Sequence, residues 1–240
     1  MKPLRFLLIL LSLIGLSCSS PLSDTNVTDP SLLQPQLAVS KTMDNGARVI
    51  EYTADIYDKN HNLVTLQNGS VKINGYSMNE RANILGGEEY YLTGESEVKF
   101  ILDTTYTFTL TLSDGTQYNG TVKSQSADLY EFDAPSTQSH TQNMTVTWKD
   151  TDPKARMYIQ MVYDFRTDTS SGSGIQTFTI SNPSSGSYTI NASNFTTSQG
   201  EIYEVDLTLV SEISGTIDSR FRPQSSTISD LRITRSATID

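Results

Sequence analysis

Cysteine occurs once in 240 residues, at Cys18. One thiol excludes an intrachain disulfide and a metal site built from several cysteines. If Cys18 is modified, thiolate catalysis goes as well. Histidine occurs twice, at His61 and His140, and tryptophan once, at Trp148. Basic residues are also few: 17 Lys and Arg stand against 27 Asp and Glu, a net charge of −10. Nucleic acid and anionic headgroups repel such a chain, so neither is expected as a partner. Its acidity reads simply as solubility. Long apolar runs are missing too. The stretch Phe6 to Leu16 is too short to cross a bilayer, which takes roughly 20 residues. No later stretch approaches that length.

What is present begins with a leader. Lys2 and Arg5 precede the apolar run, and "GLSCSS" ends it in small residues. This is the pattern of a secretory signal. Two cleavages compete. Ordinary signal peptidase takes small residues at −3 and −1, here Gly15 and Ser17, and cuts at Ser17 or Ser19. Alternatively, the stretch resembles the bacterial lipobox, with Ser17 just before Cys18. Gly15 stands at the position where that pattern usually has Leu, and Leu16 falls one place late. The lipobox resemblance implies that Cys18 is acylated, with residues 1–17 removed. Several acyl chains anchor stably, since each buried CH₂ contributes about 0.8 kcal/mol. Losing Lys2 and Arg5 moves the net charge from −10 to −12.

Residues 19–35, "SSPLSDTNVTDPSLLQP", have no periodicity and read as a flexible tether. From Gln36 the pattern turns to period two. "RVIEYTADIYD" sets Ile50, Tyr52, Ala54 and Ile56 on one face. "YTFTLTL" does the same with Tyr106, Phe108, Leu110 and Leu112, and "MTVTWK" with Met144, Val146 and Trp148. Such alternation marks half-buried strands. Asn68-Gly69 and Asp114-Gly115 read as turns, and "DTSSGSG" (168–174) as a flexible hairpin tip. "NERANILGGEE" (79–89) has room for one helical turn before Gly86-Gly87. Residues 124–143 read as a second junction.

Short strands with frequent turn signals indicate antiparallel sandwiches. Two such series around a junction divide the chain into a signal peptide (1–17), a tether (18–35), a first β-sandwich domain (36–124) and a second (125–240). The second half resembles a fibronectin type III domain through Pro135, Trp148 and Tyr158. That resemblance implies a core Trp148 and a Tyr-bearing strand after it. The first half resembles an immunoglobulin-like domain in strand pattern alone. These folds carry many functions, so neither resemblance brings an activity with it.

The chemistry is sparse. His61 and His140 fall in a turn and a junction, with no adjacent nucleophile motif. "DKNHNL" has Asp58, Asn60 and Asn62 at alternate places. A calcium loop needs Gly at the sixth position and Glu at the twelfth, and here these are Leu63 and Gly69. Turn chemistry explains the run. Asp150 and Asp152 in "KDTDP" read as a turn, with an edge calcium site as the lesser alternative. Glu88, Glu89, Glu95 and Glu97 surround "YYLTG"; paired carboxylates hydrolyse glycosides only at a set separation. They read as a solvated hairpin, and either Tyr90 or Tyr91 is expected outside. The sequons at Asn68 and Asn119 read as turn chemistry. The expectation is therefore no catalytic residue, metal or cofactor. The chain reads as a lipid-anchored protein of a bacterial outer membrane or cell surface, serving as a non-catalytic interaction or structural module with a protein partner. The alternative is a glycan-binding accessory lipoprotein of a carbohydrate uptake or degradation system. A glycan binder presents co-planar exposed aromatics. A protein binder presents an apolar patch or an unpaired edge strand.

Overall fold

The structure, a computed structural model, describes residues 20–240 except 45, 83–87, 94–96, 130, 168–169 and 199. Cys18 and the signal sequence lie outside the described residues. The first strands are β1 (Gln34–Asp44), β2 (Ala47–Tyr57), β3 (Ser70–Ile73), β4 (Tyr76–Ser77), β5 (Asn79–Ala82) and β6 (Glu88–Thr93). Then come β7 (Thr105–Thr111), β8 (Gln117–Lys123), β9 (Phe132–Asp133), β10 (Thr137–Gln138), β11 (Met144–Trp148) and β12 (Arg156–Arg166). The chain closes with β13 (Ser171–Ile180), β14 (Ser187–Ile190), β15 (Thr196–Thr197), β16 (Gly200–Ser214), β17 (Thr216–Ile217) and β18 (Ser226–Ile239). Beyond these, the described residues hold only short 3-10 turns.

The strands form three sheets. A 10-stranded sheet runs β13-β12-β16-β18-β1-β2-β6-β5, with β10 and β15 appended to β18 and β16. A 5-stranded sheet runs β17-β8-β7-β3-β4, and a 3-stranded one β14-β11-β9. Most pairs are antiparallel. The exceptions are β1 and β10, each parallel to β18. The β1–β18 pairing sets Gln36 against Ser226 and Asp44 against Thr234. The stretches 36–124 and 125–240, expected as separate sandwiches, thus share one sheet.

The alternating residues decide what faces inward. Ile50, Tyr52, Ala54 and Ile56 are buried, as are Tyr106, Phe108, Leu110 and Leu112. Tyr52 meets Tyr106 with ring centroids 5.9 Å apart. Farther along, Met157, Ile159, Met161, Leu207 and Leu209 are buried together with Met144, Val146, Trp148 and Ile190. The Trp148 indole N–H donates to Pro183 O at 2.9 Å. Both groups belong to one core cluster.

Where the halves meet, the interior turns polar. Gln125 is fully buried; its Nε2 donates to Ser211 O (2.8 Å) and Ser229 O (2.9 Å), and its Oε1 accepts from Ser229 Oγ (3.1 Å). Lys41 Nζ donates to Asp128 Oδ1 at 2.6 Å beneath the Phe100 ring. Buried polar groups persist only when bonded in this way. At the start of the stretch 124–143, read as a junction, Gln125 thus ties the chain to β16 and β18.

Several expectations are corrected. Residues 20–33 are packed on the body. Ser20, Val27 and Leu33 are buried, and 3-10 turns run over Pro21–Asp24 and Pro30–Leu32. Backbone bonds run from Ser20 N to Leu63 O, from Ser113 N to Val27 O and from Arg222 N to Leu33 O. Residues 79–82 form the strand β5 where a helical turn was expected, and 83–87 lie outside the described residues. Ser171 to Gly174, expected as part of a flexible tip, belong to β13, while 168–169 lie outside the described residues. Tyr158, for which only a place on the strand after Trp148 was expected, lies on β12 facing outward, with its hydroxyl 3.5 Å from Glu212 and Arg156 over its ring. Met157 and Ile159 take the core positions beside it.

Candidate functional site

Strand β13 ends the large sheet. Its 10 residues, "SGSGIQTFTI", contain no charge and no proline. It pairs with β12 from Met157–Ile180 to Arg166–Ser171. In an antiparallel pair, every second residue directs its N–H and C=O to the neighbour and the others point away. Among the described residues no strand pairs with the outer side of β13, which therefore presents an open ladder. Proteins usually blunt such an edge with charge, proline, a bulge or shortness. At the other end of the sheet, β5 is short and carries Glu80 and Arg81. The remaining outer strands of the two smaller sheets, β4, β9, β14 and β17, have no more than 4 residues each.

The outward face of this edge is apolar at its middle, and the inward face carries aromatic cover toward the Ser171 end. On the outward face, Val162 and Ile175 are cross-strand partners, 40% and 59% exposed. On the inward face, Tyr163 lies over Gly174 and Phe165 over Gly172. A Cβ at Gly172 would meet Phe165 Cζ at 2.7 Å. The two rings are 6.3 Å apart and tilted by 46°. The rings supply the apolar surface that the glycines lack. Phe178, farther along, packs against Tyr188 at 6.0 Å. Polar bonds hold the flank: Ser173 Oγ donates to Asp164 Oδ1 at 2.7 Å.

A groove of about 880 Å³ opens at the far end of β12, β16 and β18, near His140, Arg166, Glu201, Tyr203 and Asp240. Arg166 stacks on Tyr203 at 5.2 Å, and His140 Nδ1 lies 2.7 Å from Asp240 O. His61 stacks on Tyr57 at 4.2 Å, close to parallel. The two histidines thus stand in unrelated surroundings.

The turn reading of "DKNHNL" is what the geometry displays. Asp58 is 4% exposed, and its Oδ1 accepts from the amides of Asn60 (2.7 Å) and Asn62 (3.0 Å). Its Oδ2 accepts from Ser20 Oγ at 2.7 Å and Asn62 Nδ2 at 3.3 Å. Burial pushes this carboxyl up, but the Ser20 hydroxyl and the two amides together hold it below the ordinary range. Asp152 behaves alike: burial raises it, and bonds from Ser126 and Lys154 lower it further than burial lifts it. Asp150 is exposed with φ of 56°, in the same turn. Among the described residues no three His, Cys, Asp or Glu are grouped for a metal ion.

Of the carboxylates around "YYLTG", Glu97 is exposed, and the side chains of Glu88, Glu89 and Glu95 lie outside the described residues. Tyr90 is buried and its hydroxyl accepts from Leu66 N at 2.7 Å, while the Tyr91 side chain is outside the described residues. Among the described aromatics, only Tyr76 is largely exposed. Asn68 donates to Asn26 Oδ1 at 3.0 Å, and Asn119 Oδ1 accepts from Thr109 at 3.0 Å. Among the described residues, no helix is long and apolar enough to cross a membrane. Nothing in the alternation of residues 171–180 marks their strand as an edge. Only the pairing order reveals that, although the lack of charge over 171–180 is plain in the residues.

No family model matches the chain, and no curated protein matches it. Among solved structures it is similar to the adhesin InvE of Yersinia pseudotuberculosis, at 15% identity and a TM-score of 0.23. The alignment covers 88% of this chain and 60% of that one. A TM-score of this size does not mark a shared fold.

Proposed function

We propose that the protein is a non-catalytic interaction module of a bacterial cell envelope, anchored through acylated Cys18, and that β13 is its binding element. Each half of the large sheet, with the smaller sheet packed on it, serves as one sandwich-like unit. The single observation that carries the binding role is the uncharged, 10-residue terminal strand with Ile175 and Val162 beside it. An extended segment that adds to such an edge gains main-chain hydrogen bonds, while alternate side chains provide specificity. The anchoring role rests on the leader and on the position of Cys18. The glycan alternative has less support, because Tyr76 stands alone among the described aromatics as largely exposed.

The test is a photo-activated crosslinker placed at Ser173 in the intact envelope, with Thr141 as the control position. The expected result is a light-dependent adduct from Ser173 that disappears when Ile175→Lys is added. Adducts from Thr141 alone, or from neither site, would overturn the edge reading. The mass of the mature N-terminus tests the anchor separately: it should begin at Cys18 and carry acyl chains.

A further inference from the structure

We infer that β13 pairs antiparallel with β13 of a second copy of this chain, about a two-fold axis at Ile175. This rests on the reading of β13 as the binding edge and names its occupant. The first argument is charge. The chain carries −10 overall, so two copies approach with least repulsion where the surface is neutral, and 171–180 is a neutral strip along an open hydrogen-bonding edge.

The second argument is register. A two-fold axis perpendicular to the sheet sets Ile175 opposite Ile175 of the second copy. Ser173 then faces Thr177, Gly172 faces Phe178, and Gly174 faces Gln176. Facing residues share one side of the sheet. On the outward side, Val162, Ile175 and their two counterparts form a continuous apolar row, because Val162 already pairs with Ile175. On the inward side, each Phe178 faces a glycine, meets no Cβ there, and arrives at the edge of the Phe165 ring that covers that glycine. No position sets charge against charge. A shift by two residues breaks the Ile175 pairing and sends Phe178 to Gly174 or past Gly172. A shift by one turns the apolar face of one copy outward. The edge is self-complementary in the way a two-fold interface requires.

The test uses the full chain with Cys18→Ser, so that an introduced cysteine is the only thiol and no lipid contributes. Facing residues in such a pair have Cα atoms about 4.5–5.5 Å apart, within the roughly 4.4–6.8 Å that a disulfide spans. Ile175→Cys should give a covalent dimer on mild oxidation. Ser173→Cys alone should give little, whereas Ser173→Cys mixed with Thr177→Cys should link. Ile175→Lys should sediment as a folded monomer, since in the single chain the side chain is more than half exposed, and its melting temperature should no longer depend on protein concentration. A monomeric parent chain, or equal crosslinking at 173 and 175, would overturn the inference. Ser173 adducts of foreign mass in the envelope, with a monomeric purified chain, would overturn it too while leaving the edge reading intact. Absence of any adduct would remove both.

Discussion

At the residue scale, Asp58 joins its own turn to the buried Ser20 hydroxyl, 38 residues earlier in the chain. It is a carboxylate used as an acceptor. Its folded-state proton affinity lies below the ordinary value of 3.8. A depressed carboxyl contributes stability that is complete above the unfolded value and lost as pH falls through the folded one. Asp152 adds in the same sense. Acid unfolding should therefore set in below about pH 4. Asp58→Asn should lower stability at pH 7 by about 1.5–3 kcal/mol, the range for hydrogen bonds to a charged group. It should also flatten the decline between pH 4 and pH 2. Urea titrations at both pH values measure this. Equal acid slopes in parent and variant would show that Asp58 is not an acid-sensitive group.

Among the elements, strands whose own residues alternate were readable from the sequence, and those held by neighbours were not. Tyr106 to Leu112 and Met144 to Trp148 display their inward faces directly. The segment 20–33 has no period, because it is fixed by Ser20, Ser23 and backbone bonds to distant strands. "SGSG" looks like a loop because the rings covering it belong to Tyr163 and Phe165. In β16, Ile202 and Val205 are both inward because the register shifts at Asp164–Phe165, which simple alternation does not anticipate. The packed segment 20–33 makes a distinct prediction. Leu33→Ala should cost about 2–5 kcal/mol, as for other buried leucines. A true tether would show no change in a denaturant midpoint.

Across the whole molecule, the pairing of β1 with β18 joins segments nearly 200 residues apart, and no local pattern signals it. It turns two strand series into one continuous sheet, whose ends are treated unequally: β5 is short and charged, β13 long and neutral. Ser20 is buried two residues after Cys18, so an acyl anchor at that cysteine would hold the body flush with the bilayer. In that arrangement, the proposed partner of β13 would reach it alongside the membrane, as a second anchored copy would. Amide hydrogen exchange of the anchored full chain in its own membranes reports on this edge directly. Alternate amides from Gly172 to Thr179 should exchange slowly and should speed up in the Ile175→Lys variant, while those of β5 stay the same in both. Rapid, variant-independent exchange along β13 would show that nothing pairs with this strand.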